Sequence, residues 1–386
     1  MSPRVLVTGG AGFIGKALCR ALLAGESNVR VLDSFLPQVH GTGGDLPLDL
    51  KPHVELVRAD VRDIASLTRA LHGTEIVVHL AAQTGTGQSM YEISRYFDVN
   101  VQGTANLLQL LQSDGCSKSV RSVILASSRA IYGEGSYKCP EHGLIFPGPR
   151  SLSQMISGDF EVHCPHCMRA VEMIPTGESA PFRPVSVYGL TKQIQEQALF
   201  MVASAKGITS FALRYQNVYG PWQSLKNPYT GILAVFANLA RQGHPIDVYE
   251  DGRESRDFVY IDDVVCATMR AVNFDSQFIG ALNVGSGRAV PVTKVAKDVA
   301  TYFGGQSDIR ITGAFRLGDI RHNCACTERS SSCLGFIPSV TFDAGLRRFL
   351  DWAATEKPES QEAYRQSVAE LYARNLMGEA KIIDTP

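Results

Sequence analysis

The chain has 386 residues, 45% of them hydrophobic, and 37 Lys and Arg against 38 Asp and Glu leave a formal net charge of −1. This balance gives no support for a polyanion-binding surface, and no apolar run reaches the roughly 20 residues that span a bilayer. The expectation is a cytoplasmic protein of two or three lobes that binds neither nucleic acid nor membrane, with no signal peptide before Ser2-Pro3-Arg4.

In chain order, residues 5–7 predict a buried strand, and Gly9, Gly12 and Gly15 then turn the chain into an amphipathic helix over 16–23. Glycine lets main chain approach a pyrophosphate, and the new helix aims its N-terminal amides at that anion. A second apolar strand, 29–32, ends in Asp33, an acidic residue able to accept hydrogen bonds from a ribose 2′-hydroxyl and to repel a 2′-phosphate. The pairing predicts dinucleotide binding, with NAD favoured over NADP.

A third strand is expected over 54–58, followed by a helix over 64–71 for which Asp60 is a candidate cap. Residues 76–82 read as a buried strand ending in Ala81-Ala82, small side chains that leave room for a ligand across the sheet. A long helix over 94–112 carries Asn100, and the strand 123–126 delivers Ser127-Ser128. Residues 137–182, proline-rich and without periodicity, look like an insertion. A helix from Tyr188 to about 205, a strand over 210–214 and helices over 232–241, 292–303 and 342–353 complete the pattern, with the tail after about Gly378 loose. Alternating strands and helices imply an α/β, doubly wound parallel sheet.

Tyr188 and Lys192 stand four apart on the predicted helix and so share a face. A nearby ammonium and a nicotinium ring would favour phenolate and lower the tyrosine pKa, and the phenolate could then take a hydroxyl proton as hydride leaves the carbon, with Ser128 hydrogen-bonded to the same oxygen. Alone, such a pair is more often an ordinary helix surface. Here it follows a nucleotide-binding turn and a strand ending in Ser-Ser.

These features, with Asp60-Val61, His79-Leu80-Ala81-Ala82, Tyr132-Gly133, Asn217-Val218-Tyr219-Gly220-Pro221 and Arg256-Asp257-Phe258-Val259-Tyr260, keep a recognisable order through most of the chain. The sequence resembles the extended short-chain dehydrogenase/reductases, in the nucleotide-sugar epimerase/dehydratase group. The resemblance implies a Rossmann NAD-binding domain over 1–218 with the insertion 137–182. It also implies a smaller substrate-binding lobe mainly over 219–353, with 255–272 returning to the NAD domain, and a C-terminal helix and tail over 354–386. Tyr188 is implied as base, Lys192 as the residue on the nicotinamide ribose and Ser128 as proton-relay partner. The implied NAD contacts are Gly9, Gly12, Phe13, Ile14, Gly15, Asp33, Asp60, Val61, Ala81, Ala82, Gln83, Asn100, Tyr188, Lys192 and Tyr215. Asn217 and Arg256 are implied at the diphosphate of a nucleotide sugar, Arg321 as a further candidate there, and the oligomer as a homodimer through the helices of Asn100 and Tyr188.

One departure bears on the reaction. Dehydratases of this family follow the Ser/Thr with an Asp-Glu pair, and its decarboxylases keep a Glu; here Arg129 and Ala130 stand there, and neither is a carboxylic acid. A 4-epimerase needs only reversible hydride removal. The stretches Ala82-Gln83-Thr84-Gly85-Thr86-Gly87-Gln88-Ser89-Met90-Tyr91-Glu92 and Asn227-Pro228-Tyr229-Thr230-Gly231 resemble the dTDP-L-rhamnose 4-epimerase type within the group. Two rival readings are a one-way 4-ketoreductase, opposed by Asp33, and a non-catalytic NAD-binding protein with an interaction module.

The nine cysteines are odd in number, which in a reducing compartment favours metal or free thiols over a disulfide framework. Cys139-Pro140-Glu141-His142 and Cys164-Pro165-His166-Cys167 match a structural zinc knuckle, with Cys139, His142, Cys164 and Cys167 as ligands and His163 and His166 as alternatives for the fourth. The competing expectation is a thiol-rich loop without metal. Cys324, Cys326 and Cys333 are expected as free thiols, and Cys19, Cys116 and Cys266 as small core residues.

Overall fold

A computed structural model describes residues 2–113, 115, 117–225, 227 and 231–381. Cys116 and residues 228–230 of the Asn227 to Gly231 motif lie outside these described residues.

Short apolar runs bounded by glycine and acid build the central sheet. Strands β1 (Arg4–Thr8), β2 (Asn28–Asp33), β3 (Glu55–Arg58), β4 (Ile76–His79) and β5 (Ser122–Ser128) are joined by Thr209–Tyr215 and Ile279–Val284. All pair in parallel, and the order from one edge is Ile279–Val284, Thr209–Tyr215, β5, β4, β1, β2, β3. Helix α1 (Phe13–Ala24) and the helix Ile261–Val272 share a core with one face; Ile64–Leu71, Gly103–Gln112 and Val187–Lys206 cover the other. The chain leaves β1 in opposite directions toward β2 and β4, so a crevice opens above their carboxyl ends, where such sheets bind ligands. Ile279–Val284 is an edge strand of this sheet.

Several details differ from the sequence reading. Helix α1 begins at Phe13, directly after Gly12, rather than at residue 16. The cap of Ile64–Leu71 is Asp63, whose Oδ1 accepts from Ala65 and Ser66 N–H at 3.0 and 3.2 Å. Asp60 is instead held by the main chain and guanidinium of Arg62. The run 93–112 is helical throughout but widens into a π-helical turn over Phe97–Gln102, around Asn100. Cys19 is buried, whereas Cys266 is exposed on the outer face of its helix. Met377–Glu379 is a strand antiparallel to Ala314–Arg316, and Ala380 and Lys381 N–H donate to the carbonyls of Gly313 and Ile156 at 3.0 and 2.8 Å.

A second core unites the helices Ile232–Arg241, Val292–Tyr302 and Phe342–Thr355 with a three-stranded sheet of Asn217–Tyr219, Ser255–Tyr260 and Ala289–Pro291. The insertion is also structured. Gly143–Ile145, Tyr137–Cys139 and Glu172–Met173 form an antiparallel sheet over a small core that includes Cys139 and Cys164. Among the described residues no helix is long and apolar enough to cross a membrane.

Candidate active site

The turn after β1 is built by glycine in two distinct ways. Gly9 adopts φ +70°, and a Cβ there would meet Ala81 main chain at 2.8 Å, so the β1 and β4 ends can lie edge to edge. A Cβ on Gly15 would strike the carbonyl of Gly9, so only glycine lets α1 pack against the turn. With no acidic side chain in its first turn, α1 presents free amides to a cavity of about 600 Å³ above the sheet.

That cavity is lined by Gly9, Gly12, Phe13, Ile14, Gly15, Asp33, Asp60, Val61, Ala81, Ala82, Gln83, Ser128, Tyr188, Lys192 and Tyr215. Asn100 does not line it. Its carboxamide lies beneath, accepting from Gln83 N–H at 2.7 Å and donating to Gln83 C=O at 3.1 Å. Asp33 is buried at the tip of β2, its oxygens accepting from Ala11 N–H at 3.0 Å and Phe35 N–H at 2.8 Å. Gln38 and His40 also line the cavity and were not foreseen, because the loop after Asp33 has no periodicity to fix which side chains turn inward.

Residues supplied by β5 and the helix Val187–Lys206 meet at the inner end. Lys192 is buried and donates to the carbonyl of Ala126 at 2.8 Å; burial pushes its pKa down to about 7, with Glu196 opposing. Burial also pushes the Tyr188 phenol up, partly offset by its hydrogen bond with Ser128 and by the Arg129 guanidinium. Among the protein's own groups, burial outweighs the lowering by Ser128 and Arg129. Lys192 lies 5.9 Å from the Tyr188 ring centre and turns its hydrogen bonding to the strand. Below them the buried Glu196 pairs with Arg214 at 2.8 Å and accepts from Ser127, bracing the helix against the strand ends.

A second cavity, of about 280 Å³, opens on the other side of Tyr188 and is lined by Arg129, Asn217, Arg256, Arg316 and Asp319 among others. Arg321 is not there. Its side chain is fully buried elsewhere, held by Glu250 at 2.8 Å, Asp251 at 2.6 Å and Glu161 at 2.8 Å. The same segment does place a cation in the cavity, but it is Arg316, paired with Asp319 at 2.7 Å. Against burial, Arg316 and Arg256 hold Asp319 below the usual carboxylate range.

In the insertion, the ligand atoms of Cys139, His142, Cys164 and Cys167 all lie within 4.8 Å of one another. His142 Nδ1 stands 3.5 Å from Cys139 Sγ and 3.6 Å from Cys164 Sγ, and the Cys139 and Cys167 sulfurs are 3.7 Å apart. Around one tetrahedral zinc, with bonds of about 2.3 Å to sulfur and about 2.0 Å to nitrogen, those edges are about 3.8 Å for two thiolates and about 3.5 Å for thiolate and imidazole. His163 turns instead toward Gln154 and Asp159, and His166 lies beside the His142 ring. Cys324, Cys326 and Cys333 are free.

A doubly wound parallel sheet with a dinucleotide-sized crevice and a Ser-Tyr-Lys cluster at its end defines an extended short-chain dehydrogenase/reductase. The family model for the NAD dependent epimerase/dehydratase family matches residues 5–151 and 166–285, and the chain belongs to that family. It is 38% identical over 356 residues to a dTDP-L-rhamnose 4-epimerase of Burkholderia thailandensis, covering 92% of this chain and 95% of that one. A putative UDP-glucose 4-epimerase of Methanocaldococcus jannaschii is 27% identical over 350 residues, 90% of this chain and 97% of the other. Among solved structures, the UDP-glucose 4-epimerase of Thermus thermophilus in complex with NAD superposes with a TM-score of 0.71 at 29% identity, covering 92% of this chain and 100% of that one. The Thermotoga maritima UDP-glucose 4-epimerase with UDP-glucose gives 0.72 at 28%, covering 90% and 98%.

Proposed function

We propose that the protein is an NAD-dependent nucleotide-sugar 4-epimerase that works through a transient 4-ketosugar, on a dTDP-6-deoxyhexose such as dTDP-L-rhamnose. The observation that carries this reading is that Tyr188 lines both cavities. A proton acceptor at the junction of a dinucleotide site and a cation-rich site suits a hydroxyl whose carbon exchanges hydride. The glycine turn, the amides of α1 and Asp33 fit the dinucleotide, which would be held by the lining residues named above and by Lys192. NAD, when bound, supplies the hydride acceptor and donor for sugar C4. The Tyr188 phenolate takes the proton of the C4 hydroxyl as the carbonyl forms, and Ser128 donates to the same oxygen. After the ketosugar has turned its other face, Tyr188 returns its proton to the alkoxide and the C4 epimer results. With Arg129 and Ala130 after Ser128, no acid–base pair is present there for loss of water. The choice of dTDP-L-rhamnose is supported by the 38% identical relative.

We also infer that Cys139, His142, Cys164 and Cys167 hold a structural zinc, since four protein ligands leave no position for substrate, and that the enzyme is a homodimer through the helical runs carrying Asn100 and Tyr188. Purified protein should carry NAD and convert dTDP-L-rhamnose to its C4 epimer, followed by NMR, without added nucleotide. Consumption of NADPH in a one-way reduction would make it a ketoreductase, and conversion of UDP-glucose but not dTDP-L-rhamnose would refute the substrate. Sedimentation at twice the chain mass tests the dimer.

A further inference from the structure

Three arginines face the smaller cavity, and they are not equivalent. Arg256 donates to the carbonyls of Ser255 and Arg321 at 2.8 and 3.0 Å, and Arg316 is paired with Asp319. Arg129, the first residue of the 3₁₀ turn Arg129–Tyr132, has no side-chain hydrogen bond or ion pair among the described residues. Half-buried, it faces the cavity with its five N–H donors unspent on the protein. Burial and the neighbouring Arg256 push its pKa down to about 10, against Asp319, Tyr188 and Glu134. A guanidinium that faces a cavity with no carboxylate of the protein paired to it is free to take an anionic ligand in charge-assisted hydrogen bonds. Its place is also specific: it follows Ser128 directly and lines the cavity together with Tyr188 and Arg256. For a substrate whose reacting carbon meets Tyr188 and whose diphosphate meets Arg256 and Arg316, the group within Arg129's reach is the phosphate next to the sugar.

We infer that Arg129 contacts the substrate directly, gripping the sugar-proximal phosphate of the nucleotide diphosphate and so fixing the sugar over Tyr188. This deepens the nucleotide-sugar reading and rests on it. The side chain that replaces the acid of dehydratases thus has a positive task.

The sugar-proximal phosphate of a nucleotide sugar is the terminal phosphate of the free nucleoside diphosphate, so the test compares dTDP with dTMP, and UDP with UMP, by titration calorimetry on the intact protein. Arg129→Gln should weaken diphosphate binding tenfold or more while monophosphate binding changes less than twofold. Arg129→Lys should recover part of the loss. Unchanged NAD binding in both variants reports an intact fold. Equal weakening of diphosphate and monophosphate, or no weakening of either, overturns the assignment. So does a loss confined to UDP-glucuronate, which would make the sugar carboxylate the anion. Wild-type protein that binds none of the four nucleotides refutes the nucleotide-sugar reading itself, a result separate from any effect of Arg129.

Discussion

The carboxamide of Asn100 clasps the main chain of Gln83 from both sides, at 2.7 Å to its N–H and 3.1 Å to its carbonyl, and donates also to Thr191 Oγ1 at 3.0 Å. The widened π turn that carries Asn100 aims the side chain inward without breaking the helix, an economical way to place one residue. One amide thereby ties the loop after β4, which lines the dinucleotide cavity, to the helix of Tyr188 and Lys192.

Asn100→Ala removes these bonds and leaves the half-buried Gln83 main-chain groups without their side-chain partner. The expected loss is about 1 kcal/mol or more, seen as NAD affinity lowered about fivefold or more in a calorimetric titration. Unaltered affinity would show that the loop holds its shape without the clasp.

Tyr188→Phe keeps the ring, which packs edge-on against Tyr96 at 6.4 Å between centres, and deletes the ionisable oxygen. Turnover should fall by about 10² to 10⁴ with little change in melting temperature. A variant that retains its turnover and loses only substrate affinity would make Tyr188 a binding residue.

Lys192 gives a pH signature in stability. Burial lowers its folded-state pKa to about 7, from 10.5 when exposed. Between those values the unfolded chain carries a proton that the folded one lacks, so this residue makes stability rise with pH through that window and contributes a constant penalty below it. Wild type minus Lys192→Met, compared in nucleotide-free protein, should therefore gain stability from pH 7 to 10, by up to about 1.4 kcal/mol per unit. A flat or falling difference would contradict a desolvated ammonium.

Much of this was legible in sequence because its determinants are local. Val5 to Gly15 encodes strand, turn and helix within a dozen residues, and Asp33 ends the next strand. The failures share a physical cause. Which of Asp60 and Asp63 caps the helix depends on Arg62 reaching back to claim Asp60, and both acids suit a cap by type alone. Arg321 looked like the phosphate ligand of its segment, but its carboxylate partners lie 70, 71 and 160 residues away, and nothing near it in sequence announces them. Arg316, five residues earlier, faces the cavity instead.

For the insertion, elemental analysis should find about one zinc per chain. Cys164→Ser should lower that content and make residues 137–182 sensitive to protease, because metal binding and local folding are linked. Metal-free protein with a protease-resistant insertion would remove the zinc from the account.

The insertion enters and leaves at a single point. Tyr137 is paired with Met173, and Ile174 N–H donates to the carbonyl of Ser136 at 3.0 Å. Topologically it is a side loop, and a lineage could acquire or discard it without rethreading one strand of the sheet. Its side chains do not share that independence: Arg150 reaches Glu134 at 3.1 Å and Glu250 at 2.8 Å, and Glu161 holds Arg321. Excision would thus leave the backbone easily rejoined while taking the Arg150 cation from the buried Glu134 and Glu250, so an evolutionary loss of the module would have to be accompanied by neutralising changes at those acids, whereas Arg321 keeps Glu250 and Asp251.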